Sequence, residues 1–339
     1  WAPLVDRFGT RKGWIVATQA ALGLAIGALA LVDPRAAGTA LFALLLAVAV
    51  LSATQDITLD AYAIEILRER EMGPANGVRV TAYRASLLAA GGLFVWLASV
   101  TGWSGVFLVA GLVMIGIATL SLTAARTARG TARHEPIWQP LRAFVLRRHL
   151  WAIVLFALTF KLGDSAMAVM AETFLVDAGL TLPQIGALGT LAIVAVVAGS
   201  LLGGALIARW GTFRSLWALG LVQALSNLGY VLAASVAPSV WLIGGAKVFE
   251  YFTAGLGTAA FLTFLMSICE KRYAATQYAL LSALYGFGRQ TAIWVSGPLT
   301  QELGYASYFF FTFLLALPAF ALLPWIRRVE RQDVEVVVE

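Results

Sequence analysis

Asp56, Asp60, Arg84, Lys161, Asp164, Lys247, Glu250 and Arg289 all fall inside stretches that are otherwise apolar. If those stretches cross a membrane, each charge costs about 3 kcal/mol to place there, so each is a candidate for function. Asp56 and Asp60 stand four apart, on one face of a helix and one turn from each other. Two carboxylates so placed repel when both are ionised, which suits one of them to carry a proton. The other reading is that they cap or brace neighbouring helices, or pair with Arg84. Arg84 and Asp60 each lie about seven residues from a charged loop, and at about 1.5 Å per residue their depths match. They form either a structural pair or a gate that opens when Asp60 is protonated. The equivalent stretch of the second half, near Thr258 to Thr263, holds no acid.

Lys161 with Asp164 and Lys247 with Glu250 repeat one arrangement, a lysine and an acid three apart. In the plainer reading each pair neutralises itself. In the sharper one Lys161, Lys247, Arg84 and Arg289 face a central cavity and bind an anionic substrate, while Asp164 or Glu250 exchanges protons. Gln55, beside the acid pair, and Tyr83, beside Arg84, join the candidate substrate-binding set. Tyr83, Trp96, Tyr285 and Trp294 offer rings that stack on sugars or simply pack at the membrane interface. Glu172 is expected near the end of its span, in reach of water.

Other chemistries find no support. The single cysteine, Cys269, excludes an intrachain disulfide framework, and the two histidines, His134 and His149, lie together in one polar linker, so no metal cluster is visible. No nucleophile has a base beside it, and no G-x-x-x-x-G-K-[ST] loop for ATP occurs. Not an enzyme, and with no cofactor, the chain must draw energy from an ion gradient. A sensor would carry a sizeable soluble domain, and none is visible.

The elements that hold these residues follow from composition. At 60% hydrophobic and 12% charged, with mean hydropathy +0.83, the chain cannot coat a soluble globule of 339 residues. It is expected to be an all-α integral membrane protein. Spans need about 20 apolar residues, which predicts ten: 14–32, 39–67, 77–99, 103–123, 149–177, 182–208, 215–235, 239–269, 276–302 and 305–326. Breaks are expected at Pro34, Gly73-Pro74, Gly102, Gly179, Pro183, Pro238 and Gly304. Small residues such as Gly199, Ser200, Gly203, Gly204, Gly255 and Gly257 are expected to allow close helix packing.

Asp6-Arg7-Phe8-Gly9-Thr10-Arg11-Lys12-Gly13 and Ala208-Arg209-Trp210-Gly211-Thr212-Phe213-Arg214-Ser215 are two versions of one basic turn. Arg84 and Arg289 echo each other at a similar offset. Two duplicated halves of apolar helices joined by short basic turns outline a two-lobed secondary transporter. Asp6, Arg7, Gly9, Arg11, Arg209, Gly211 and Arg214 are expected to lock and release the cytoplasmic ends of the lobes.

Of the 24 Lys and Arg, 19 sit in or beside alternate turns and in the tail, one (Arg35) on the other side and four within spans. That bias places those turns and the tail in the cytoplasm. Basic residues scattered over loops are a topology signal, and no nucleic-acid partner is implied. The expected organisation is an N-terminal lobe 1–123, a basic cytoplasmic linker 124–148, a C-terminal lobe 149–326 and a tail 327–339. The chain opens on Trp1 at what reads as the end of a helix. Against a twelve-helix total, helices 3 to 12 are present, and the first helix and most of the second are expected upstream.

Specific strings narrow this further. Ser52-Ala53-Thr54-Gln55-Asp56 with Asp60-Ala61-Tyr62, Tyr83-Arg84, Lys161-Leu162-Gly163-Asp164, Gln223 with Ser226-Asn227, Gly257-Thr258-Ala259-Ala260-Phe261 and Ala275-Thr276-Gln277-Tyr278-Ala279-Leu280-Leu281-Ser282-Ala283-Leu284 cover nearly the whole chain. With them the chain resembles the major facilitator superfamily, a 6+6 helix fold, and within it the AmpG-type muropeptide permeases. The resemblance implies a proton-driven importer in the bacterial inner membrane. Its substrates would be N-acetylglucosaminyl-1,6-anhydro-N-acetylmuramyl peptides, feeding peptidoglycan recycling and beta-lactamase induction. Such a ligand carries carboxylates and sugar faces, which suits buried cations and aromatics. The same subgroup shades into acetyl-CoA-type transporters, so another bulky anion is the alternative substrate. Folds of this kind work as monomers in the lipid bilayer.

Overall fold

The computed structural model describes residues 1–32, 38–125 and 135–335. Pro34, Arg35, Arg126, Arg129, Arg133 and His134 lie outside the described residues. Among the described residues every regular element is helical. In lipid the backbone must satisfy its own hydrogen bonds, and helices do so within one segment. The helices are α1 (Ala2–Arg7), α2 (Arg11–Ala28), α3 (Thr39–Ile66), α4 (Glu69–Leu88), α5 (Phe94–Ser121), α6 (Gln139–Val145), α7 (Leu150–Thr159), α8 (Leu162–Asp177), α9 (Leu182–Trp210), α10 (Thr212–Ser235), α11 (Val240–Ser267) and α12 (Ala274–Glu335).

Among the described residues, eight helical stretches are long and apolar enough to cross a membrane. Two of them, Glu69–Ser121 and Lys271–Arg327, run to 53 and 57 residues, far beyond the ~20 that one crossing needs. Each contains a glycine with positive φ where two helices meet: Gly102 at 71° and Gly304 at 73°. Divided there, the stretches make ten helices. The turn glycines Gly9 (69°) and Gly211 (80°) adopt the same left-handed backbone, open only to residues without a Cβ penalty. Both glycine pairs are 202 residues apart, so the duplication extends to backbone geometry. Large apolar side chains face outward along the helices, among them Phe42, Leu112 and Leu120, each about 70% exposed, as lipid-facing positions require.

One expectation is corrected, and two spans carry local irregularities. Gly73-Pro74 does not break the chain, because α4 starts at Glu69 and runs through it. A proline so near a helix start forfeits one hydrogen bond, and Gly73 and Gly77 are needed where α4 crosses α9, against the carbonyls of Gly204 and Ser200. The stretch 149–177 is one span, Leu150–Asp177, with an interruption inside it at Phe160–Lys161 between α7 and α8. The stretch 77–99 contains a π-helical turn at Ala89–Leu93, around Gly91-Gly92.

The described residues form two compact units, which do not follow the linear halves. One contains Trp1–Leu67, Ala85–Phe144 and Cys269–Ala279, the other Arg68–Arg84, Val145–Ile268 and Leu280–Glu339. Within the first, α2 packs on α5 with Gly23 against Gly111 and Ile115. Within the second, α9 packs on α11 through a seam of small residues. A Cβ on Gly199 would run into the Phe252 carbonyl, and one on Gly255 into the Val196 carbonyl. Close backbone approach is the main attraction available to helices already surrounded by hydrocarbon. Beside the seam, Phe160 stacks on Phe261 at 5.2 Å between ring centroids, and Phe156 meets Phe264 edge-on at 5.1 Å.

Substituting Gly199→Leu should therefore cost about 3 kcal/mol, at the upper end of overpacking penalties. Gly286→Ala, where nothing lies within 4 Å, should be close to neutral. Thermal unfolding of the two purified variants in one detergent checks this; equal midpoints would remove the seam from the fold's supports.

Candidate functional site

The first unit carries a charged clamp. Asp6 is fully buried in the last turn of α1, just before the turn into α2. Its carboxylate accepts from Arg11 Nη2 at 2.8 Å, from Thr276 Oγ1 at 2.6 Å, and from the backbone N–H groups of Thr276 and Ala275 at 2.9 and 3.1 Å. Those N–H groups open α12 and have no partner within their own helix, so Asp6 caps that helix from a distant segment. Arg11, 3% exposed, also donates to the Val5 carbonyl at 2.9 Å and lies 3.8 Å from Glu65. Around it Lys271 donates to the Glu65 carbonyl, Tyr273 donates to Glu135, and Arg272 pairs with Glu135. Arg7 lies over the Phe8 ring. The second copy of the turn is different. Ala208 stands where Asp6 would be, and Arg209 and Arg214 are exposed. The duplicated turns are thus one clamp and one open basic loop.

Burial pushes the Asp6 carboxyl above its ordinary value, against the lowering effects of the Thr276 hydroxyl and the Arg11 charge.

The second unit encloses a cavity of about 650 Å³. Arg79, Tyr83 and Arg84 of α4 line it, as do Lys161 at the head of α8 with Asp164, Ser165 and Glu172 on that helix. Glu250, Tyr251 and Thr258 of α11 and Tyr285 and Arg289 of α12 complete its polar lining. Lys161, 4% exposed, sits at the interruption between α7 and α8 with φ −103° and ψ 9°, and its Nζ lies 2.8 Å from Asp164 Oδ2. At an effective dielectric near 20 that separation corresponds to roughly 6 kcal/mol of attraction before desolvation is charged against it. Arg84 is half-buried beside the Tyr83 ring, and its Nε has no hydrogen-bond partner among the described residues. Arg289 is exposed into the lining. The cavity thus offers three guanidinium groups, those of Arg79, Arg84 and Arg289, and one lysine already facing an acid.

The expected Lys247–Glu250 pair does not form. Lys247, 2% exposed, donates to Glu172 at 2.5 Å and lies over the Tyr251 ring at 5.4 Å. Tyr251 donates to the same Glu172 oxygen at 3.1 Å. Glu250 is left buried with one carboxyl oxygen unpartnered among the described residues. A long lysine reaches a neighbouring helix as easily as its own next turn, and α8 presents the better-placed acid. Glu172 is therefore more than an acid reaching water. The sequence signal for it was available: Lys161, Asp164, Ser165, Ala168 and Glu172 recur at the spacing of one helix face.

Of the other candidates, Tyr83 and Tyr285 line the cavity, whereas Trp96 and Trp294 do not and are 62% and 74% exposed. Gln55, Asp56 and Asp60 lie on α3 in the first unit, outside that lining. Asp60 is buried and Asp56 exposed, so the two acids do not share one environment.

Comparison with known proteins agrees with this architecture. The Major Facilitator Superfamily model matches residues 1–292. An anhydromuropeptide permease of Escherichia coli K12 is 35% identical over 335 residues, covering 95% of this chain and 68% of that protein. A transporter named AmpG 4 from Rickettsia conorii is 28% identical, covering 96% and 84%. Among solved structures, the human organic anion transporter TETRAN superposes with TM-score 0.76 at 14% identity, covering 95% of this chain and 80% of that one. The E. coli fucose:proton symporter FucP superposes with TM-score 0.69 at 15% identity, covering 94% and 84%.

Two outcomes follow from the charges. Lys161→Ala leaves Asp164 without its cation and should cost about 3 kcal/mol, most of which the double substitution Lys161→Ala with Asp164→Ala should restore; additive losses in thermal unfolding would mean the pair is not coupled. An acid whose native pKa lies above its unfolded one holds its proton more tightly when folded. Asp6's contribution is thus fully present below the ordinary carboxylate range and is lost as pH rises through the raised value. The stability of the parent relative to Asp6→Asn should fall as pH climbs from about 4 toward neutrality, and a difference that widens with pH would contradict that sign.

Proposed function

Because the chain belongs to the major facilitator superfamily, and within it to the AmpG-type permeases, we propose that it is a proton-coupled importer of anhydromuropeptides, serving peptidoglycan recycling in the bacterial inner membrane. It is a multi-pass transporter and not an enzyme. The observation that carries the substrate reading is the cavity with Arg84 and Arg289 in its lining beside Tyr83 and Tyr285. Guanidinium groups take carboxylates through two parallel hydrogen bonds, and tyrosine faces accept sugar rings. An anhydromuropeptide brings both chemistries in one molecule.

Proton coupling would follow from competition for Lys161. A substrate carboxylate entering the cavity draws Lys161 away from Asp164, and Asp164 is left as a carboxylate facing a low-dielectric space. Taking up a proton relieves that cost, so substrate and proton enter together. Glu250, buried in the same cavity wall, offers a second protonation site, and Asp56 and Asp60 offer further ones in the first unit. Alternating access would use the Asp6 clamp as the lock at the cytoplasmic end, released once per cycle. The basic turns and the tail face the cytoplasm, the protein acts as a monomer, and the imported peptides reach the route that induces beta-lactamase.

Proteoliposomes carrying the protein, with an inward proton gradient imposed, should accumulate labelled anhydromuropeptide, and a protonophore should abolish the accumulation. Arg84→Ala and Arg289→Ala should each weaken substrate affinity by roughly 10- to 100-fold, the loss of one charge-assisted contact. No uptake by demonstrably folded protein would overturn the substrate reading and point to another bulky anion.

A further inference from the structure

Asp164 faces two spaces. One is the large cavity; the other is a small pocket of about 10 Å³, lined by Phe160, Asp164, Gln223, Asn227 and the apolar residues around them. That volume admits one water-sized occupant. Asp164 Oδ1, Asn227 Oδ1 and Gln223 Nε2 all lack hydrogen-bond partners among the described residues, although Gln223 and Asn227 are 4% and 1% exposed. Buried polar atoms without partners cost about 1–3 kcal/mol each. Three of them gathered on one small space point to something that sits there.

The electrostatics favour a cation. Asp164 supplies a carboxylate oxygen, and the amide of Asn227, whose Nδ2 is directed to Thr312 Oγ1 at 3.3 Å, leaves its carbonyl oxygen available. The interruption at Phe160–Lys161 sets the partly negative C-terminal end of α7 and the partly positive N-terminal end of α8 beside the pocket, so the helix ends offset each other and the Asp164 carboxylate decides the sign. Gln223 rests with Oε1 against Gly257, a contact that only a glycine permits. A half-turn of that amide exchanges nitrogen for oxygen and gives the pocket a third oxygen ligand.

We infer that the pocket behind Asp164 binds one small monovalent cation, Na⁺ or hydronium, and that this cation and Lys161 compete for the Asp164 carboxylate. This rests on the reading above that Asp164 couples transport. While Lys161 holds Oδ2 at 2.8 Å, its charge repels a second cation on Oδ1. A substrate anion that takes Lys161 into the large cavity removes that repulsion, so each ligand strengthens the binding of the other. Other charges share Asp164's large cavity besides Lys161, namely Glu172 on the same helix and Arg79, Arg84, Glu250 and Arg289 on other elements. Asn227 and Gln223 do not line that cavity, so substitutions there leave the substrate's own contacts intact.

The test measures binding of labelled anhydromuropeptide to the full chain in nanodiscs, in NaCl and in choline chloride, each at alkaline and acidic pH. Affinity should rise about tenfold on adding Na⁺ at alkaline pH or acid in choline, and Asn227→Leu should abolish the rise while keeping the basal affinity. A rise with Na⁺ identifies sodium, and a rise with acid alone identifies hydronium. Affinity in the parent protein that ignores both, or an Asn227→Leu response equal to the parent's, overturns the inference and leaves the permease reading standing. If the parent binds no anhydromuropeptide under any condition, the substrate reading fails and the pocket is judged by unfolding midpoints. Stabilisation by Na⁺ or acid in the parent but not in Asn227→Leu then supports the site, and its absence overturns it. Should Asn227→Leu not fold, Asn227→Asp must show a larger cation response than the parent, and an unchanged response overturns the site.

Discussion

A charge held inside a lipid-embedded bundle must find its counter-charge within a few ångströms, because the low dielectric that makes isolation costly also makes a good pair strong. The second unit is arranged around that constraint. Lys161 is held by Asp164 at the point where α7 gives way to α8, and Lys247 crosses to Glu172 on a neighbouring helix. With each lysine facing an acid, Arg84 and Arg289 stand in the cavity lining. Chemistry for a ligand thus arises from the charges that internal pairing did not consume.

Pairing of this kind needs helices close enough for side chains to reach and rigid enough to hold them. Small residues along α4, α9 and α11 bring backbones into contact, and the aromatic cluster of Phe156, Phe160, Phe261 and Phe264 fills the space beside them. One irregular place, the interruption at Lys161, lies in the cavity lining itself.

The duplicated turns show how a repeat diverges in role. Both keep the glycine with positive φ that lets the chain reverse. Only the first keeps the acid that can engage the start of α12, because Ala208 in the second has no oxygen to offer.

Much of the fold is legible in the order of the residues. The apolar runs, the stops at Gly102, Gly179 and Gly304, the duplicated turns and the Lys161–Asp164 pair all follow from local rules: hydrophobic length, glycine's access to positive φ, and the three-residue spacing that puts two side chains on one helix face. The partner of Lys247 is not legible there, since Glu250 and Glu172 are both within a lysine's reach and only the packing of α8 against α11 chooses between them. Nor is the helix through Gly73-Pro74, which depends on how closely α9 approaches, or the pocket joining Asp164 to Asn227 and Gln223. The sequence by itself determined which segments are apolar enough to span and which charges are costly. Tertiary structure alone decided which of those charges meet, because a contact between helices depends on their rotation and separation, and these are set by packing over the whole bundle.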